Sequence, residues 1–122
     1  MNILLGVGGS ELSFSALEET LERADETGDD LTIVVFDSEE VDASMDDVEA
    51  RVREALTAHN FETEIRRVDE NPGSKLVEIA DGEGFDRIVL GGGQRSSLGK
   101  VQLGSVVEFV LLNATTPVTL FR

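Results

Sequence analysis

NILLGVGGSELSFSALEETLERA, residues 2–24, changes its hydrophobic period partway along, and that change sets the fold class. Asn2–Val7 is a short continuous apolar run, as expected of a strand buried on both faces, and Gly8-Gly9 ends it. Beyond the glycines, Phe14, Leu17, Leu21 and Ala24 recur at spacings of three and four, while Glu18, Glu19, Glu22 and Arg23 fall on the other side. That period predicts an amphipathic helix, with Ser10 or Ser13 as its N-cap and Gly28 just past its end. A doubly buried strand feeding an amphipathic helix is the first half of a β-α-β unit.

The same alternation continues to the end of the chain. Leu31–Phe36 reads as a second buried strand. Val48, Val52, Ala55, Leu56 and His59 mark a second helix, opened by Ser44 and Asp47 at capping-box spacing. Phe61, Thr63 and Ile65 then alternate with Glu62, Glu64 and Arg66, the pattern of a strand with one exposed side, and so of a sheet edge. Asn71-Pro72-Gly73 breaks the chain before a short helix around Ser74–Ala80. Arg87–Leu90 is a fourth strand running into Gly91-Gly92-Gly93. A long polar loop precedes a helix from Ser105 to Asn113, and Pro117 opens a last strand, Val118–Phe121. The prediction is one α/β domain over residues 1–122: a doubly wound, five-stranded parallel sheet of order 3-2-1-4-5, with right-handed crossovers and helices on both faces.

Composition agrees with one globular unit. The chain has 122 residues, 40% of them hydrophobic, and no apolar run near the ~20 residues of a membrane helix. The start, MNILLGVGGSE, lacks the basic opening of a secretory leader, so a cytoplasmic location is expected. There is no Cys, which excludes disulfides and thiol chemistry. Charge is the loudest signal: 25 acids against 10 Lys and Arg give a net charge of −15. Self-repulsion on that scale destabilises a compact state unless salt screens it, and at about 1 M salt the Debye length falls to roughly 3 Å. A salt-rich cytoplasm is the expected setting. Broad contact with nucleic acid is not expected, because that needs a basic face.

In doubly wound sheets, ligands bind beyond the carboxyl ends of the strands where the strand order reverses. Here that means Gly8-Gly9-Ser10 and the stretch from Gly91 to Ser105. Arg87 to Val107 contains no acid but does contain Arg87, Arg95 and Lys100, so a local positive field stands out in an acidic chain. The stretch ends at Gly104-Ser105, where a helix begins and its first N–H groups face outward with the positive end of the dipole. A phosphate-binding loop is the expectation. It is no P-loop, since Gln94 holds the first glycine position and Val101 the hydroxyl position before and after Gly99-Lys100. It is no dinucleotide fingerprint either, since Glu11 replaces the third glycine after Gly6 and Gly8. Gly8-Gly9-Ser10 also lacks the acids of a phosphoacceptor pocket. His59 reads as a helix-end residue, the acids Asp37, Glu39, Glu40, Asp42, Asp46 and Asp47 as a solvated loop, and the six Phe residues as core. One His and no Cys make a nitrogen- or sulfur-ligated metal site unexpected.

Ile3–Leu17, ILLGVGGSELSFSAL, resembles the opening of universal stress proteins. Phe85–Gly93, FDRIVLGGG, with Leu103–Leu120, LGSVVEFVLLNATTPVTL, resembles their close. The resemblance covers the chain end to end. It implies the family's nucleotide motif, Gly-x2-Gly-x9-Gly-Ser/Thr, in which backbone amides and the hydroxyl hold the phosphates of ATP. Gly91, Gly104 and Ser105 match it, while Gln94 stands in place of the second glycine. The Asp the family usually carries after the first strand is replaced by Gly8. Taken with the charge and the switch-point position, the expected binding residues are Gly8, Gly9, Ser10, Gly91, Gly92, Gln94, Arg95, Lys100, Gly104, Ser105 and Val106. The implied ligand is ATP or another adenine nucleotide, held weakly because of the two departures. Gly8→Asp with Gln94→Gly is expected to strengthen it. With no positioned general base or Walker machinery, the chain is not expected to be an enzyme. The resemblance also implies a homodimer through the last strand, burying Val118, Leu120 or Phe121. The alternative reading is an interaction module whose pocket has drifted away from nucleotides.

Overall fold

The computed structural model describes residues 1–38, 41–92, 94–95 and 101–122, with the side chains of residues 94, 95, 101 and 102 outside the description. The elements run β1 (Asn2–Val7), α1 (Glu11–Thr27), β2 (Asp30–Phe36), α2 (Met45–Ala58), β3 (Glu64–Val68), α3 (Pro72–Gly82), β4 (Arg87–Gly91), β5 (Gln94–Arg95), β6 (Val101–Gln102), α4 (Ser105–Asn113) and β7 (Val118–Phe121). The main sheet has the order β3-β2-β1-β4-β7, and every pairing in it is parallel. This is the expected 3-2-1-4-5 arrangement, with β7 as its fifth strand. Inside the stretch read as a polar loop, β5 and β6 form a short antiparallel pair of their own.

The strand period of two divides the core. Ile3, Leu5, Val7, Ile33, Val35 and Val89 point to one face and pack with Phe14, Leu17 and Leu21 of α1 and Val48, Val52 and Leu56 of α2. Leu4, Val34, Phe36, Ile88 and Leu90 point to the other, against Leu76 and Ala80 of α3 and Val107 and Val110 of α4. Leu4, Leu5, Ile33 and Ile88 are fully buried, and burial of each such side chain contributes about 1.5–3 kcal/mol.

Local chemistry fixes the helix ends. Ser10 caps α1, its Oγ accepting from the Ser13 N–H at 3.1 Å, and Gly28 closes the helix at φ 75°. Ser44 caps α2 in the same way, accepting from the Asp47 N–H. The end of α2 corrects the expected start of β3. Asn60 turns left-handed at φ 53°, and the Phe61 N–H donates to the Leu56 carbonyl at 2.9 Å, so Phe61 belongs to the end of α2. Thr63 donates its hydroxyl to the Leu31 carbonyl, and regular pairing begins only at Glu64. Asn71 and Pro72 start α3 two residues earlier than the pattern around Ser74–Ala80 suggests, with Pro at the first position, where it needs no hydrogen-bond partner.

Candidate functional site

Three loops at the carboxyl ends of the strands meet around one cleft of about 670 Å³. The turn after β1 contributes Gly8, Gly9 and Ser10, with Glu11 and Leu12 from the first turn of α1. Phe36, Ser38, Val41 and Asp42 come from β2 and the loop after it. Gly91 ends β4 and Gly92 follows it, and Leu103 and the cap Gly104 lead into Val106 and Val107 of the first turn of α4. The cleft therefore lies where the strand order reverses, between β1 and β4.

Two helices begin at this cleft, and they differ in how their ends are satisfied. The β1–α1 turn is tied internally: the Ser13 hydroxyl donates to the Ser10 carbonyl at 2.6 Å and accepts from the Gly9 N–H at 3.2 Å. At α4 the N-cap is Gly104, which has no side chain to offer the first-turn amides. An α-helix leaves those amides without partners inside the helix, and the dipole gives that end a partial positive charge. The start of α4 therefore turns the positive end of its dipole to the cleft. Ser105 is the first residue of α4 and is exposed, between the wall residues Gly104 and Val106.

The glycines of the site answer to packing. A Cβ on Gly91 would lie 2.2 Å from the Leu12 carbonyl oxygen and 2.6 Å from Ser13 Cα, so the bare backbone of Gly91 is what lets α1 cross the tip of β4. A Cβ on Gly92 would meet Val107 Cγ2 at 2.8 Å. Gly9 has φ 101°, a conformation that disfavours any other residue. At Gly8 the obstacle is an aromatic ring: a Cβ there would stand 2.7 Å from Phe36 Cε2 and 2.9 Å from Cζ. A Gly8→Asp change therefore has to displace the Phe36 ring to make room for its Cβ.

The electrostatics are mixed. Glu11 and Asp42 are the charged side chains among the described wall residues, and both are acids. Glu11 is engaged by Arg51 Nη1 at 3.2 Å, and the Arg51 guanidinium lies 3.7 Å over the Phe14 ring. The expected cationic residues cannot be placed against the cleft: Lys100 lies outside the described residues, as do the side chains of Arg95 and Gln94. His59 lies at the opposite end of the sheet, its Nε2 2.6 Å from Glu18 Oε2. Asp46 and Asp47, read with the solvated acidic loop, instead lie in the first turn of α2, and Asp46 pairs with Arg67 at 2.6 Å. Among the described residues, no three His, Cys, Asp or Glu side chains form a group able to hold a metal ion.

Of the expected binding residues, the fold brings Gly8, Gly9, Ser10, Gly91, Gly92, Gly104 and Val106 to the cleft wall. It adds Phe36, Ser38, Val41 and Asp42, which the sequence hides. Phe36 reads as core and the other three as part of a solvated loop, and only the crossing of β2 beside β1 puts them next to Gly8. No described helix is long and apolar enough to cross a membrane.

Comparison with known proteins places these features in context. The model of the universal stress protein family matches residues 1–122. No curated protein sequence matches the chain. Among solved structures, a universal stress protein from Archaeoglobus fulgidus superposes with a TM-score of 0.80 at 24% identity, covering 100% of this chain and 98% of the other. A universal stress protein from the same organism, in complex with dAMP, gives 0.72 at 21% identity over 100% and 98%. A universal stress protein family protein from Arabidopsis thaliana, with AMP bound, gives 0.69 at 16% identity over 99% and 90%.

Proposed function

Because the chain belongs to the universal stress protein family, we propose that its cleft binds an adenine nucleotide weakly, with the phosphate seated at the start of α4, and that the chain acts in stress response as a binding protein and not as a catalyst. The observation that carries this reading is the side-chain-free cap Gly104, which opens a helix into a cleft floored by Gly91 and Gly92. First-turn amides and a helix dipole suit an anion. The dAMP and AMP held by the A. fulgidus and A. thaliana proteins support an adenine nucleotide as the ligand class. Weakness follows from what the cleft lacks. Gly8 offers no carboxylate to the nucleotide's hydroxyl or amine donors, and Glu11 and Asp42 repel phosphate. A hydrogen bond to a charged group contributes about 1.5–3 kcal/mol, so each one missing lowers affinity roughly tenfold or more.

The test is a thermal-shift titration with ATP, ADP, AMP and inorganic phosphate at constant ionic strength. Ligand at 100 times its Kd adds about 2.7 kcal/mol of stability, which such a titration resolves. Shifts that develop only at millimolar nucleotide are expected. Saturation at micromolar ATP refutes the weak site. No shift with any ligand favours the second reading, an interaction module, for which the exposed apolar residues Phe109, Leu111 and Leu112 of α4 are the supporting observation.

A further inference from the structure

We propose that Arg51 is a positioning residue of the cleft: by pairing with Glu11 it holds that acid toward α2, and so keeps the cleft open to an anion at the start of α4. The inference rests on the nucleotide reading above and concerns the wall that α1 contributes. Glu11 is the first residue of α1 and lines the cleft. Arg51 stands in the second turn of α2, outside the described wall, and its Nη1 donates to Glu11 Oε1 at 3.2 Å. Its guanidinium also lies 3.7 Å over the centroid of the Phe14 ring. That ring is itself anchored, packed in the core that α1 and α2 share. An exposed ion pair usually contributes little, because two long side chains must be held in one geometry. Here the ring gives the arginine a second hold, so the pair is ordered at lower cost.

The direction of the pull matters. The helices α1 and α2 cover one face of the sheet and α4 the other, so a carboxylate drawn toward α2 is drawn away from the start of α4. Without Arg51, the Glu11 side chain is free to turn its full charge into the cleft. A helix N-terminus carries only about half an elementary charge, so one carboxylate in the same cleft is enough to offset its attraction. The cleft, of about 670 Å³, is compact. A charge on its α1 wall acts on an anion elsewhere in it within about one Debye length, ~10 Å at 0.1 M salt. Arg51 therefore serves the anion without touching it.

The experiment is a calorimetric titration of the full chain with AMP and with inorganic phosphate, at low and constant ionic strength. Arg51→Met keeps an unbranched apolar stem over Phe14 and removes the charge. It is expected to weaken both ligands by about threefold or more. Adding Glu11→Gln to that variant is expected to bring both affinities back to within about twofold of native, since the freed acid is then gone. A double variant as weak as Arg51→Met shows that Arg51 acts on the anion by itself, and overturns the inference. So does a native affinity in Arg51→Met, or a loss confined to AMP, and each of these leaves nucleotide binding standing. Arg51→Lys retains the charge and serves as the second variant: it should bind within about twofold of native, and a loss like that of Arg51→Met overturns the inference. At about 1 M KCl, where the Debye length is roughly 3 Å, the loss in Arg51→Met should disappear. A loss that persists there is one of packing and not of charge, and also overturns it. If the native chain binds neither AMP nor phosphate, this inference and the reading beneath it both fall.

Discussion

Gly91 and Leu12 lie so close that a methyl group on Gly91 would sit 2.2 Å from the Leu12 carbonyl oxygen. The obstacle is main chain of a helix turn, which cannot rotate away as a side-chain tip can. Gly91→Ala therefore has to push α1 off the tip of β4, and overpacking against an immovable neighbour falls in the severe class of substitutions. A loss on the order of 3 kcal/mol or more is expected in urea denaturation. Gly92→Ala meets only Val107 Cγ2, at 2.8 Å, and should lose about 1–2 kcal/mol. Equal, small losses at both positions would refute this ranking.

A second prediction concerns acid. Asp81, near the end of α3, accepts from the Thr116 hydroxyl at 2.6 Å, from the Thr116 N–H at 3.1 Å and from the Thr115 N–H at 3.3 Å, pinning the loop before β7. These donors, the Thr116 hydroxyl first, hold its carboxyl below the usual carboxylate range. A depressed folded value means that the stabilisation is complete above the unfolded value of about 4 and is lost as pH falls through the folded one. Asp81→Asn should lower the melting temperature at pH 7, and the gap to the native chain should close as pH falls below about 4. A gap that stays constant with pH contradicts this account.

Salt is the third lever. With a net charge of −15, the melting temperature should climb steeply between dilute buffer and molar KCl as repulsion among the acids is screened. The arginines on β3 each already hold two acids, Arg66 with Glu64 and Glu83, and Arg67 with Glu49 and Asp46. Screening also weakens these exposed pairs, but each contributes little to begin with. A flat profile would leave the acidic surface without this explanation.

Assembly is the fourth. β7 is the outer strand, next to β4. The Ile88 N–H bonds to the Pro117 carbonyl and the Gly92 N–H to that of Phe121. In a parallel ladder this directs the N–H and C=O groups of Val118 and Leu120 to the open side. We propose that they pair with β7 of a second copy. Light scattering at tens of micromolar in high salt should give the mass of a dimer. Val118→Pro, which removes an outward N–H and spares the bonds to β4, should give a folded monomer. A monomeric native chain would rule the pairing out.

Much of the fold was legible because its signals are local. The bounds of α4, Ser105–Asn113, and the caps Ser10, Ser44 and Gly28 follow from residue types within a few positions of one another. The polar alternation near Ile65 marked β3 as an edge, but its start was misplaced: the alternation of Phe61 and Thr63 is strand-like, while the Leu56 carbonyl and the left-handed Asn60 claim Phe61 for the end of α2. The site was half legible. Its glycines could be found from their place after β1 and β4, whereas the reasons for them could not. Gly91 answers to Leu12 and Gly8 to Phe36, residues distant in sequence that meet only once the sheet has formed.

The start of α4 at the cleft, Gly104 and the first-turn amides, is made of main chain, which every sequence carries. Inheritance acts on it differently from a site made of side chains. Descendants can exchange the side chains around it without removing those main-chain groups, and the 16–24% identities to structures of the same fold show how far the residues of such a fold can vary. What such exchanges alter is the side-chain wall, as where the Phe36 ring stands against Gly8. Main-chain and side-chain walls are thereby inherited separately, so a lineage could reshape one part of the cleft while the other keeps its form.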